Sequence, residues 1–200
     1  MKQSSKRRRE KRYFLYTVLV LLIIIFAVNW NNIYTNVYLK TAYPEKYSNI
    51  VTLYAGKSKL DPNLVYAVIR TESSFNPNAE SQIGAMGLMQ ITPPTFEWAM
   101  DKTPQQESYS DADLYAPEVN VHYGTLVLSA FITEFGNEET ALAAYNAGRS
   151  NVIKWLADSR YSKDGKTLYY IPFTQTREYV KRVEESKKMY TDLYKPKSSE

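Results

Sequence analysis

Cysteine is absent from this 200-residue chain, and histidine occurs once, as His122. The first absence excludes disulfide scaffolds, thiol nucleophiles and every cysteine-ligated metal site. The second argues against a zinc enzyme, whose sites usually draw on two or three imidazoles, and leaves one candidate base for Ser-His catalysis. Strand-like alternation never lasts long enough to build a sheet as the main core. Internal repeats are missing too, and low complexity is confined to the polar ends. What remains reads as a mainly α chain of a length that suits one ordinary domain with an appendage.

The formal net charge is +4 and the pI about 9.0, which raises the thought of nucleic acid. The location of the charge removes it. Residues 2 to 12 carry Lys2, Lys6, Arg7, Arg8, Arg9, Lys11 and Arg12 against Glu10 alone, a net of +6, so the remainder carries −2. The basic pI belongs to a tail, residues 1 to 12, and the bulk of the chain is mildly acidic.

Directly after that tail runs YFLYTVLVLLIIIFAVNW, Tyr13 to Trp30, with no charge at all. Such a run just crosses a hydrocarbon core of about 30 Å at about 1.5 Å per residue. Tyr13 and Trp30 stand at its two ends, where aromatic rings favour the water interface. A cleaved signal peptide is the competing reading. Against it, the apolar run is longer than a usual signal core, and VNWNNIY after it lacks an A-x-A-like site. We therefore expect a single-span anchor in the lipid bilayer at 13–30. The flanking cations should keep the N-terminus cytoplasmic and send the rest across the membrane.

Residues 31 to 43 read as a short spacer of uncertain structure. From Pro44 the pattern becomes helical, with Tyr47, Ile50, Val51 and Tyr54 at helical spacing and Gly56 near the expected stop. Asp61-Pro62 is an N-cap followed by proline at the first helical position, and the helix it opens spans 62 to 73. After an irregular stretch, helical segments are expected near 94–100, 117–135, 138–147, 150–157 and 176–194. Asn137 can cap the third of these and Gly148 can end it. The outer part, 44–194, is thus one mostly α domain, and 195–200 a polar tail.

Within the 62–73 helix, Glu72 shares a face with Leu64, Val65, Val68 and Ile69. A carboxyl at the end of an apolar face is partly desolvated, which raises its pKa toward the range of a general acid. Position alone favours the plainer reading, a surface Glu at a frayed helix end that caps neighbours or faces solvent. The wider pattern decides for the carboxyl. Glu72-Ser73 is followed by Asn76-Pro77, then Gly84-Ala85 and Gly87-Leu88-Met89-Gln90, and later by Ala144-Tyr145-Asn146 within ALAAYNAG. On these three ordered elements the chain resembles the lysozyme-like soluble lytic transglycosylase (SLT) domain family over roughly residues 45 to 192.

The resemblance implies a lysozyme-like fold and a peptidoglycan lytic transglycosylase, with glycan strands as substrate and no metal or organic cofactor. Glu72 would be its catalytic acid and then base. Gln90 would donate to saccharide, or serve only the shape of its turn. The Tyr145 hydroxyl would reach the catalytic centre with Asn146 as companion, or Tyr145 would be a core tyrosine. Ser73 would touch substrate or only end its helix. Gly84 and Gly87 permit positive φ and a close approach of backbone to ligand. One departure stands out. The family often has Glu in a late E-T-x-x-Y-V motif, where QTREYV places Gln175, which bonds hydrogen but cannot ionise. Thr176, Tyr179 and Val180 read as structural. A hydrolytic muramidase on the same fold, and a silent membrane-anchored glycan-binding protein, are the alternatives. Protein partners cannot be read, and nucleic acid is not expected.

Overall fold

The computed structural model describes residues 2–103 and 109–194, so the 195–200 tail lies outside the described residues. The chain divides into two units, Met1–Pro44 and Glu45–Glu200.

The first unit is one almost uninterrupted helix. Helix α1 spans Lys2–Ile33, a π-helical turn covers Tyr34–Leu39, and α2 covers Lys40–Ala42. The residues expected as a spacer of uncertain structure are therefore helical. The cause is visible in what they lack: no Gly or Pro interrupts them before Pro44. Thr41 donates its hydroxyl to the Val37 carbonyl at 2.6 Å, and the Tyr34 and Tyr38 rings stack at 5.5 Å. Tyr43, at φ −127° and ψ 66°, leaves the helical region, as the residue before a proline prefers. Within α1 the 22 residues Arg9–Trp30 are long and apolar enough to cross a membrane, a little longer than the expected 13–30. Their large apolar side chains are exposed.

The second unit opens later than its hydrophobic spacing suggests. Helix α3 spans Ser48–Lys57, because Tyr47 sits in the left-handed region at φ 60° and cannot be a helical residue. Helix α4, Pro62–Ser73, starts where its cap dictates: the Asp61 carboxylate accepts the Asn63 N–H at 2.9 Å and Pro62 fills the first position. Six consecutive residues, Leu64 to Ile69, are buried, so α4 is central rather than amphipathic at the surface. Each such apolar side chain contributes about 1.5–3 kcal/mol on burial.

Around it follow α5 (Pro93–Met100), a 3-10 turn (Asp111–Tyr115), α6 (Pro117–Phe135), α7 (Glu138–Ala147), α8 (Arg149–Leu156) and α9 (Thr174–Leu193). All five of these helices fall within two residues of their expected bounds; the 3-10 turn was not anticipated. It is held by a reciprocal cap, in which the Asp113 carboxylate accepts both the backbone N–H and the hydroxyl of Ser110. Asn137 caps α7 through the Thr140 N–H at 2.8 Å. The largest packing partner of α4 is α9, while α7 lies against both α6 and α9. Ala141, Ala143 and Ala144 are fully buried, and their small size permits that close approach on two sides. The described residues contain no strand, only single antiparallel pairings of Met86 with Glu80 and with Ile91.

Candidate active site

Glu72 lies in the last turn of α4 and Ser73 ends the helix. Two residues in the left-handed region, Ser74 at φ 51° and Phe75 at φ 64°, then turn the chain sharply into the loop that carries the glycine motif. The loop returns over the end of α4. There the Ser73 hydroxyl donates to the Leu88 carbonyl at 2.8 Å, with a longer contact to the Ile69 carbonyl of its own helix at 3.1 Å. From the far side the Tyr145 hydroxyl, carried by α7, donates to the Met89 carbonyl at 2.9 Å. Consecutive carbonyls of the loop are thus gripped from α4 and from α7.

A third grip comes from a residue that no motif singled out. Asn120, on α6, is completely buried. Its side-chain oxygen accepts the Met89 N–H at 2.7 Å, and its amide donates to the carbonyls of Met86 at 2.9 Å and Leu114 at 2.8 Å. Gly87 passes so close that a Cβ there would stand 2.2 Å from both Asn120 Nδ2 and the Leu114 oxygen, at a φ of +76°. Glycine is required here by space and by dihedral alike.

The Glu72 carboxyl is enclosed by this arrangement while part of the residue stays open to solvent. Burial pushes its pKa up from 4.5 to about 7; a contact with Tyr179 and the charge of Arg182 pull the other way and lose. The Tyr179 hydroxyl is buried and reaches full hydrogen-bond geometry with no acceptor among the described residues, so its contact with Glu72 is a loose one. Burial raises the Tyr145 phenol well above its usual range, and the Glu72 charge adds to the effect, as it does for Tyr179. Both hydroxyls therefore stay protonated beside the carboxyl. Tyr179 and Arg182 belong to α9, whose late motif reads as structural in sequence. The ring of Tyr179 is indeed core, but its hydroxyl belongs to the site.

The other expected residues divide. Gln90 lines a groove of about 370 Å³ together with Tyr145, and Glu72 does not line it. Both Gln90 amide hydrogens are engaged inside the loop, with the carbonyls of Ala79 and Gly87 at 3.0 Å each. Gln90 is thus not the free donor that the resemblance implies; its oxygen, an acceptor, is what remains. Asn146 accepts the Thr176 hydroxyl at 2.9 Å, tying α7 to α9 and leaving its amide hydrogens. Gln175 is exposed in the first turn of α9 and shares no hydrogen bond with the Glu72 group. Glu80, the other acid within the motifs, is also exposed, and accepts the Tyr115 hydroxyl at 2.8 Å.

Fold and site together define a lysozyme-like helical domain built around one desolvated carboxyl. The chain belongs to the Transglycosylase SLT domain family, which it matches over residues 50–168. It is 35% identical over 148 residues to the soluble lytic murein transglycosylase of Salmonella typhimurium, covering 73% of this chain and 23% of that protein. It is 28% identical over 169 residues to the membrane-bound lytic murein transglycosylase C of Actinobacillus pleuropneumoniae, covering 74% and 46%. The crystal structure of the 70 kDa soluble lytic transglycosylase of Escherichia coli superposes with a TM-score of 0.70 at 31% identity, over 80% of this chain and 26% of that one. The chain therefore spans about a quarter of the length of the soluble relatives it matches.

Proposed function

We propose that the second unit is a peptidoglycan lytic transglycosylase. It would cleave the β-1,4 bond between N-acetylmuramic acid and N-acetylglucosamine without water and leave 1,6-anhydromuramoyl ends. One observation carries this reading: a single carboxyl, Glu72, whose pKa burial raises to about 7, with no second carboxylate among the described residues acting on it. Ordinary glycosidases need two, an acid and a nucleophile or base. Glu80 offers no substitute, being exposed and engaged with Tyr115. The relatives' names supply the substrate, murein.

In the proposed sequence Glu72 gives its proton to the glycosidic oxygen as the C1–O bond breaks, and the substrate's N-acetyl group stabilises the positive charge developing at C1. The Glu72 carboxylate then takes the proton of the muramic C6 hydroxyl as that oxygen bonds to C1. The carboxyl is regenerated and water is not consumed. Because the nucleophile is part of the bound sugar, its effective concentration is high. Ser73, Gln90, Tyr145 and Asn146 meet the strand around this centre: Gln90 through its remaining oxygen, Asn146 through its amide hydrogens. Gln175 offers a neutral contact at the rim. The first unit anchors the enzyme in the cytoplasmic membrane, a reading supported by the apolar span and the membrane-bound relative, and the basic tail argues for an N-terminus inside.

Mass spectrometry of digested peptidoglycan tests the reaction. The wild-type chain should release anhydromuramoyl ends and Glu72→Gln none. Ends one water heavier, from the wild type alone, would replace the transglycosylase by a hydrolytic muramidase. Equal release by both proteins would remove Glu72 from the mechanism.

A further inference from the structure

Away from the cleft, a second cavity of about 570 Å³ opens between α3, the end of α5 and α6. It is larger than the groove beside Tyr145, and neither Glu72 nor any side chain that grips the glycine loop lines it. Helix α6 serves both places. Asn120 holds the loop, while Glu118, His122 and Leu126, four residues apart, line this cavity.

Its polar groups are organised around Tyr54, on α3. The Tyr54 hydroxyl donates to the Glu118 carboxylate at 3.1 Å. His122 stacks on the Tyr54 ring at 4.6 Å with 26° between the planes, and the Lys57 ammonium stands 4.9 Å from the ring centre. An aromatic face attracts a cation, so Lys57 is held at the wall without a carboxylate. Lys102, just past α5, lines the cavity as well. Neither lysine forms an ion pair among the described residues. Two ammonium groups and one carboxylate thus line the cavity, and a phenol already engages the carboxylate. The wall is net positive on a stretch of chain that is net negative. Val119 and Leu126 add apolar surface, and an apolar wall with a few polar groups is the usual make-up of a small-ligand site.

We propose that this cavity binds the free carboxylate end of a short peptide with small apolar side chains. An ammonium is a point charge that takes a carboxylate without a fixed fork, and Val119 and Leu126 take methyl groups. A phosphodiester chain, hydrophilic along its length, would leave those two residues unused. The stem peptides of peptidoglycan are rich in alanine and end in free carboxylates. The proposal rests on the murein reading above for the source of the peptide. It gives the enzyme a second contact with the wall, away from the bond that is cut.

Amide chemical-shift titration of the full-length chain in detergent micelles tests it. The probes are N-acetyl-D-alanyl-D-alanine, its uncharged C-terminal amide, and glycerol phosphate. The acid should move the amide signals of α3 and of the first half of α6, and leave those of Glu72 and Gln90 in place. A hydrogen bond to a charged group is worth about tenfold in affinity, so the amide should bind about tenfold more weakly. Lys57→Gln and Lys102→Gln should each weaken the acid by about threefold, as partly exposed charge pairs do, and together by about tenfold. Glu118→Gln keeps an acceptor for Tyr54 but removes a like charge, and should tighten binding by about twofold.

Equal binding of acid and amide overturns the assignment, as does movement of the cleft signals in place of those of α3 and α6. Glycerol phosphate bound as tightly as the acid would make the cavity a general anion site and overturn the peptide as its ligand. No bond is broken in this assay, so it stands apart from product analysis. Anhydromuramoyl release by an enzyme that does not bind the acid would remove the cavity's role alone. Binding by a chain that releases no such ends would remove the reaction alone.

Discussion

Glu72 works against its own solvation. A carboxyl raised from 4.5 to about 7 is protonated, and ready to donate, over the range in which an ordinary glutamate is charged. Activity should therefore fall as pH rises through about 7. Tyr179 and Arg182 both favour the carboxylate, so Tyr179→Phe or Arg182→Gln should move the falling limb of the pH–kcat/KM profile to higher pH. An unmoved limb in both variants would separate these residues from the carboxyl. The same shift has a thermodynamic side. An acid whose folded pKa lies above its unfolded one destabilises the fold as pH rises between the two values, here by roughly 3 kcal/mol once both are passed. Glu72→Gln removes that penalty. Urea unfolding should find it more stable than the wild type at pH 8, with most of the gain gone at pH 4. The desolvation of Glu72 was legible from its place on the face of Leu64, Val65, Val68 and Ile69. Arg182 was not, because α4 and α9 meet only in the folded chain.

At the scale of elements, the decisive piece is the loop from Ser74 to Thr92, which has almost no regular structure and is kept by hydrogen bonds to three helices. Ser73 holds it from α4, Tyr145 from α7 and Asn120 from α6. Asn120→Ala would strand the Met89 N–H and the Leu114 carbonyl in a dry interior, while the Met86 carbonyl keeps the Ile91 N–H. At about 1–3 kcal/mol for each buried group left unpaired, the loss should reach several kcal/mol. Thermal unfolding should show it as a large drop in Tm, with activity falling alongside; a variant as stable as the wild type would mean the loop is held by its other grips alone. Nothing in sequence marked Asn120, since its partners are backbone atoms, those of Met86 and Met89 more than thirty residues away, and not side chains in a pattern. Helix starts were legible wherever a chemical signal marked them, as Asp61-Pro62 and Asn137 do. The start of α3 was not, because Tyr47 adopts a left-handed conformation that ordinary residues avoid. Residues 31–43 carried no such signal: polar and aromatic side chains obscured that nothing there breaks a helix.

Over the whole molecule, the proposed anchoring and orientation rest on charge and apolar length. The positive-inside effect counts Lys and Arg within about 15–20 residues of a span and gives little weight to acids. On the N-terminal side of the apolar run there are seven such cations; after Trp30 none occurs until Lys40, followed by Lys46. The proposed orientation therefore depends on the tail, and it should be reversible. Replacing Lys2, Lys6, Arg7, Arg8, Arg9, Lys11 and Arg12 with Gln leaves two cations on the far side and none on the near one. Protease added to intact spheroplasts should digest the C-terminal unit of the wild type. In the neutral-tail variant a large fraction should become protected, with wall turnover falling in proportion. The detergent-extracted variant should keep its specific activity, because no residue of the cleft has changed. Full accessibility in the variant would show that the apolar run and its aromatic ends set the orientation without the charges.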